Sequence, residues 1–331
     1  MGSNRGAGIV RKLGCLGLLI VLAAFGGLFV LVQDWGGRGP APRNMTFEVA
    51  EGASLSGTAD RLEKAGAIPS AARFKLLARV FGSDTPIKAG EYRIPAHLSP
   101  ADILKMLQGG KTLQRFVTIA EGLPAVVVKD RLMAAKGLVG TIDVPIEGTV
   151  LPDSYSFQRD DTRQSVLDRM QRAMLKYLAA AWDNRKPGIA VSTPREALIL
   201  ASIVEKETGK ASERRLVAAV YSNRLKRGMM LQADPTIIYP ITKGRPLGRR
   251  ILRSEVQAVN AYNTYAMTGL PAGPIANPGR ASIDAVLDPA QSSALYFVAD
   301  GTGGHVFADT LEQHNANVQK WYAIRKARGE R

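Results

Sequence analysis

Thr193-Pro-Arg-Glu-Ala-Leu-Ile-Leu-Ala-Ser-Ile-Val-Glu-Lys-Glu-Thr-Gly209 reads as a helix whose two ends are both marked in the sequence. Thr193 followed three residues later by Glu196 forms a capping box, Pro194 suits the first helical position, and Gly209 marks the stop. Between these signals the segment is apolar nearly all round, which predicts a helix buried in a domain core. Its last turn nevertheless carries Glu205 and Glu207, and a buried carboxylate is costly unless it is paired or protonated. Desolvation and the partial negative charge at a helix C-terminus both disfavour the anion, so a carboxyl placed here suits a general acid. The two glutamates lie about 200° apart around the helix, so a single cleft uses one of them. Glu207 stands over Leu200, Ile203 and Val204, whereas Glu205 stands over Leu198, Ala201 and Ser202, a smaller and more polar footing. The apolar footing favours Glu207 as the acid, with Glu205 as the second candidate. Taken alone, the helix favours a structural role in which both glutamates cap neighbouring basic chains such as Arg214 or Arg215, because structural ion pairs are common.

Upstream, Leu13 to Val32 runs for twenty residues without a charge, the length a helix needs to cross the hydrocarbon layer. No small-x-small cleavage site follows it, since Gln33-Asp34-Trp35 comes next. Arg5, Arg11 and Lys12 precede it with no acidic residue among them, which keeps residues 1–12 in the cytoplasm and puts the rest of the chain outside. Nucleic acid is thereby excluded as the target of a basic chain with 44 Lys and Arg against 29 Asp and Glu; anionic lipid headgroups and carboxylate-rich polymers remain. A single cysteine excludes an intramolecular disulfide and a thiolate metal cage. Residues 33–44, rich in Gly and Pro, read as a flexible tether. Residues 45–114 then give strand, two helices, strand and helix, with Ser99 and Pro100 opening the last helix and Gly109-Gly110 closing it. That pattern looks like the LysM-type modules that bind cell-wall glycans, and a plain spacer is the competing reading. A second domain, 115–331, begins with the alternating strand Arg115 to Ile119, followed by a helical stretch toward Lys136, turn formers over 146–155 and an amphipathic helix from Gln164 to Trp182. The fold class is α+β: one N-terminal transmembrane helix over 13–32, a small α/β module and a larger mixed α/β domain.

Downstream of the glutamates lies an inventory of amide, hydroxyl and aromatic groups, the kinds that hydrogen-bond sugar hydroxyls and N-acetyl amides or stack on pyranose faces. Each also has a structural reading as core tyrosine, turn or buried strand. In order, Leu200-Ala-Ser-Ile-Val-Glu-Lys-Glu-Thr208, Asn223-Arg-Leu225 with Gly228-Met229, Leu231-Gln232 with Asp234-Pro235-Thr236, Tyr262-Asn-Thr-Tyr265, Gly269-Leu-Pro271 and Tyr296-Phe-Val-Ala-Asp300 with His305 resemble the endolytic murein transglycosylases of the MltG/YceG type. One departure is Ala233 before the aspartate, where that family often has Ser or Thr.

The resemblance implies a bacterial enzyme held in the inner membrane by one N-terminal span, with its catalytic domain, residues 115–331, in the periplasm. It implies internal cleavage of peptidoglycan glycan strands at the MurNAc–GlcNAc bond to leave 1,6-anhydromuramoyl ends, which limits strand length during wall assembly. Glu207, followed by Thr208, takes the place of the catalytic acid. Thr208, Asn223, Gln232, Asp234, Thr236, Tyr239, Tyr262, Asn263, Thr264, Tyr265 and His305 become the candidate substrate-binding residues. Ordinary glycoside hydrolysis needs two carboxylates, whereas lytic cleavage needs one that acts first as acid and then as base. No cofactor and no metal are expected: the histidines at 97, 305 and 314 have no ligand spacing, and no phosphate-cradling glycine loop follows a strand. Partners implied are glycan strands, the bilayer through residues 13–32, and peptidoglycan synthases. Two other classes compete: a non-catalytic wall-binding protein and a basic scaffold that binds anionic lipid or recruits synthases.

Overall fold

The structure is a computed structural model that describes residues 18, 21–23, 25–27 and 29–329. The chain forms two compact units, Met1–Arg115 and Phe116–Arg331.

In the first unit the order is β1 (Met45–Val49), α1 (Leu55–Lys64), α2 (Ala71–Phe81), β2 (Gly90–Ile94) and α3 (Pro100–Gly109). Each helix starts where a serine side chain accepts a backbone N–H from the first turn: Ser54 from Gly57, Ser70 from Arg73 and Ser99 from Asp102. Strands β1 and β2 pair antiparallel with Phe47 opposite Tyr92, and both rings enter a core with Leu62, Phe74, Ile103 and Leu107. Gly110 ends α3 in the left-handed conformation at φ 69°, which a residue with a Cβ adopts only at a cost.

Residues 33–44, expected as a flexible tether, are tied to this unit. Asp34 pairs with Arg73 at 3.1 Å, the Trp35 ring packs 5.7 Å from Phe74, and Asn44 Oδ1 accepts the Ala96 N–H at 2.9 Å. The Gly39 N–H donates to the His97 carbonyl and the His97 N–H to that of Ala41. Composition describes how stiff a free segment is; it does not see partners fifty residues ahead. The predicted span over 13–32 lies in part outside the described residues. Its described members are helical, with Leu18, Leu22, Phe25 and Phe29 exposed. Among the described residues no helix is long and apolar enough to cross a membrane.

The chain continues with β3 (Arg115–Thr118), α4 (Ala125–Ala134), β4 (Ser154–Phe157), α5 (Arg163–Asp183), α6 (Pro194–Glu207) and a 3-10 turn (Ala211–Glu213). Then come α7 (Arg214–Lys226), α8 (Asp234–Thr242), α9 (Arg253–Val256), α10 (Arg280–Leu287), β5 (Tyr296–Ala299), β6 (His305–Ala308) and α11 (Leu311–Ala327). Helices carry most of this unit. The strands form two-stranded sheets, β3 with β4 and an antiparallel hairpin of β5 and β6.

Helix α6 is the centre of the second unit. Every residue from Ala197 to Val204 is buried, and it packs on α7 and α10 through Leu200, Ile203, Val204, Val217, Tyr221, Ile283 and Val286. Thr193 Oγ1 accepts the Glu196 N–H at 3.1 Å, while the Glu196 carboxylate accepts from Ser192, one residue before the cap. At the other end the stop differs in detail from the expected glycine. Thr208 turns extended at φ −139° and its hydroxyl accepts the Lys210 N–H at 3.0 Å, a local side-chain bond that competes with a further helical turn.

Candidate active site

The last turn of α6 gives its two glutamates different surroundings. Glu205 Oε2 accepts the Gly279 N–H at 2.9 Å and the Ser282 hydroxyl at 2.7 Å. Gly279 is the N-cap residue of α10, so this carboxylate caps a neighbouring helix and satisfies donors that the helix itself leaves open. Neither Arg214 nor Arg215 is its partner: Arg215 instead binds Asp288.

Glu207 faces a cavity of about 290 Å³ lined also by Tyr221, Arg224, Leu231, Gln232, Asp234, Tyr265, Phe297 and His314. Its Oε1 is buried without a hydrogen-bond partner. Burial pushes its pKa from 4.5 up to about 7; the Asp234 charge adds to this, while the Tyr221 hydroxyl and the Arg224 charge oppose it. A desolvated carboxyl with one oxygen left without a donor escapes the desolvation cost by holding its proton.

Arg224 is buried and its guanidinium is spent on the chain. Its Nε donates to the Leu295 carbonyl at 2.7 Å and its Nη1 to that of Leu231 at 2.8 Å, and it lies 5.2 Å from the Tyr296 ring centre. It thus joins the β5 segment to the loop before α8. Gln232 in that loop has φ 53°, a left-handed conformation that side chains adopt at a cost and that clusters at functional sites. The loop is stitched to residues 263–265. The Gln232 and Ala233 N–H groups donate to the Thr264 carbonyl and hydroxyl, the Thr264 N–H donates to Thr236 Oγ1, and the two threonine hydroxyls meet at 2.8 Å. At the end of this stitch the Tyr265 hydroxyl donates to Asp234 Oδ1 at 2.7 Å. Burial, and then the bond to Asp234, hold that hydroxyl well above the ordinary tyrosine range.

Of the residues singled out from sequence, Glu207, Gln232, Asp234 and Tyr265 line the cavity together. Thr236, Asn263 and Thr264 are buried behind them; the Asn263 amide donates to the carbonyls of Val256 and Ala258 and shapes the loop. Asn223 donates to the Ser292 and Ala294 carbonyls. Thr208 belongs to the helix stop. Tyr239 and Tyr262 lie elsewhere, with ring centres 4.9 Å apart, beside Glu147. That carboxyl accepts the Ala125 N–H at 2.9 Å at the start of α4, and burial raises its pKa to about 7 against the pull of Ala125, Tyr239 and Gly148. His305 is paired through Nδ1 with Glu213 at 2.9 Å. These residues do not line the cavity that Glu207 faces.

The reading from sequence missed Tyr221, Arg224, Leu231, Phe297 and His314. Tyr221 and Arg224 follow one another on a single face of α7, a polar pair on an otherwise apolar surface, and that was the available signal. His314 comes from α11, and its ring stacks at 5.1 Å on Tyr296 with Nδ1 buried and without a partner. Burial and then the Arg224 charge lower its pKa.

A buried, protonated carboxyl facing an open polar cavity, with a tyrosine-bound carboxylate beside it, is a site of the acid–base kind. The YceG-like family model matches residues 47–320, and the chain belongs to that family. It is 28% identical over 311 residues to the endolytic murein transglycosylase of Bacillus subtilis strain 168, across 84% of each chain. To the protein of the same name from Streptococcus pneumoniae strain D39 it is 30% identical over 359 aligned positions, which cover 94% of this chain and 64% of that longer one. A crystal structure of a yceG-like protein from Listeria monocytogenes superposes with a TM-score of 0.53 at 27% identity, covering 83% of this chain and 98% of the other.

Folded Glu207 and Glu147 keep their protons to about pH 7, while ordinary glutamates ionise from 4.5. Between these values the folded state binds more protons than the unfolded one, so stability falls as pH rises through that window. Glu207→Gln is expected to flatten the fall, leaving the part due to Glu147; melting temperatures measured from pH 4 to 8 check this. Glu205→Ala strands the Gly279 and Ser282 donors and is expected to cost about 1–3 kcal/mol in denaturant unfolding at any pH in the range.

Proposed function

We propose that this protein is a membrane-anchored peptidoglycan lytic endotransglycosylase with Glu207 as its single proton-transferring residue. The observation that carries the reading is the contrast on one helix turn: Glu205 is consumed by capping, whereas Glu207, which meets the Tyr221 hydroxyl, has its Oε1 buried without a partner and opens on a polar cavity. Membership of a family whose curated relatives bear the name endolytic murein transglycosylase supports the substrate and the internal cut.

In this reading Glu207 donates its proton to the oxygen bridging N-acetylmuramic acid and N-acetylglucosamine, and the C1–O bond breaks. The resulting carboxylate then takes the proton of the muramic C6 hydroxyl as that oxygen closes on C1, which leaves a 1,6-anhydro end and consumes no water. A pKa of about 7 serves both halves, since neither protonation state is far from reach at neutral pH. The chemistry asks for no cofactor. Gln232, Asp234 and Tyr265 are the polar groups placed to hold the sugars. A wall-binding protein without activity would gain nothing from a desolvated acid at a cavity wall.

The anchor is residues 13–32, with residues 1–12 cytoplasmic and the rest of the chain periplasmic, in the inner membrane. The ties of Asp34 and Trp35 to α2 support a first unit held close to where the apolar run ends. Its order of strand, two helices, strand and helix supports a LysM-like glycan-holding role. Peptidoglycan synthases, which supply nascent strands, are the protein partners that such a placement suits.

Glu207→Gln is expected to abolish release of anhydromuramoyl products from peptidoglycan, read by mass spectrometry, while Glu205→Gln loses less activity and more stability. The wild-type rate should fall on the alkaline side with an apparent pKa near 7; a flat profile up to unfolding overturns the role of Glu207. For the anchor, reporters fused after Arg331 are expected to be active only if they function outside the cytoplasm. Activity of a cytoplasm-only reporter overturns the orientation and the substrate with it.

A further inference from the structure

The cavity holds two carboxyl groups, and the proposed reaction as written uses one. Asp234 sits in the first turn of α8, where the helix dipole favours an anion. Its Oδ1 is occupied by the Tyr265 hydroxyl at 2.7 Å. That bond fixes the plane of the carboxylate and leaves Oδ2 as an acceptor. The hydrogen bonds that join 232–236 to 263–265 fix both partners at once. Asp234 is exposed, whereas the Glu207 Oε1 across the same cavity is buried. Environments this different suit the two carboxyls to different tasks, a desolvated acid and a solvent-facing hydrogen-bond acceptor.

The lytic reaction has a place for such an acceptor. When the bridging bond breaks, C1 of the muramic residue becomes electron-poor. The neighbouring acetamido group can relieve it: its carbonyl oxygen bonds to C1, and positive charge moves onto the amide nitrogen. This is the substrate-assisted route known to glycoside chemistry where no enzyme nucleophile is supplied. A carboxylate that accepts the N–H makes the carbonyl oxygen a better nucleophile and stabilises the cation that follows.

Building on the transglycosylase reading, we infer that Asp234, held by Tyr265, is a second catalytic residue that accepts the acetamido N–H of the sugar being cleaved and stabilises the charge formed there. The electron count closes within the substrate. The Glu207 proton goes to the leaving oxygen, the acetamido oxygen bonds to C1, and the nitrogen keeps its proton throughout. The C6 oxygen then displaces the acetamido oxygen while the Glu207 carboxylate takes the C6 hydroxyl proton. Asp234 ends each turnover as it began.

The test uses the full chain in detergent, acting on peptidoglycan strands and on the same strands after chemical N-deacetylation. On native strands Asp234→Asn is expected to lower kcat on the order of 100-fold with KM little changed, and Tyr265→Phe on the order of tenfold. Wild type should lose about as much on deacetylated strands as Asp234→Asn loses on native ones, and the variant should lose little more. Glu207 is faced by Tyr221 and Arg224 from α7, Asp234 from α8, Tyr265 from its loop and His314 from α11. Of these, Asp234 supplies the charge that helps to raise it, so Asp234→Asn should also move the alkaline limb to lower pH. A purely structural Asp234 would lower the melting temperature and leave both the limb and the acetyl dependence in place. Wild-type kcat in Asp234→Asn, or full wild-type activity on deacetylated strands, overturns the inference while the transglycosylase reading stands. Absence of anhydro product from wild type overturns that reading as well.

Discussion

Helix α6 is buried along eight consecutive residues, Ala197 to Val204, and the rest of the second unit is arranged around what that burial does to its last turn. A helix sunk this far delivers its final side chains into surroundings with little water, and carboxylates there must find donors or keep their protons. Glu205 finds donors at the start of α10. Glu207 finds none for its Oε1 and stays protonated to about pH 7. One physical constraint, met in two ways two residues apart, yields a strut and an acid.

The strut matters to the acid. Glu205 fixes α10 against α6, and α10 with α7 supplies the apolar wall behind Leu200, Ile203 and Val204. A loosened wall would admit water to Glu207 and return its pKa toward 4.5. Arg224 has a matching role at the opposite side: by binding the Leu295 and Leu231 carbonyls it pins the β5 segment, which brings Phe297 to the cavity, to the loop that ends in Asp234. Its charge is then one of the two influences that keep the pKa of Glu207 from rising further.

What the sequence made legible was local. Ser99 and Thr193 each cap the helix expected of them, because a cap is a bond between residues three apart. The separation of Glu205 from Glu207 follows from helix geometry alone, and so does the apolar footing that distinguishes them. The rest of the cavity is assembled from α7, α8, the 263–265 loop, β5 and α11, from Tyr221 to His314, and no period or cap reports such a meeting. For that reason Thr236, Asn263 and Thr264 looked like sugar ligands and are the buried stitching behind Asp234 and Tyr265, while Tyr239 and Tyr262 were grouped with a site they do not reach. His314 was visible only as a histidine without ligand spacing; its place over Tyr296 depends on where a C-terminal helix docks. The tether over 33–44 was misread for the same reason, since its partners Arg73, Phe74 and His97 lie far along the chain.

A single residue that both gives and takes a proton faces a conflict that a pair of carboxyls avoids. In the proposed reaction a low pKa would leave Glu207 ionised before the bridging oxygen needs its proton, and a very high one would make its carboxylate too strong a base to release that proton in the next cycle. Burial and the Asp234 charge push upward; the Tyr221 hydroxyl and the Arg224 charge set against them bring the balance to about 7. Those two groups stand on the same α7 face, three residues apart, so the opposing influence is held as rigidly as the wall that desolvates the acid. The position of α7 against α6 therefore sets both influences together, and a shift of one helix relative to the other would change the proton affinity of the site.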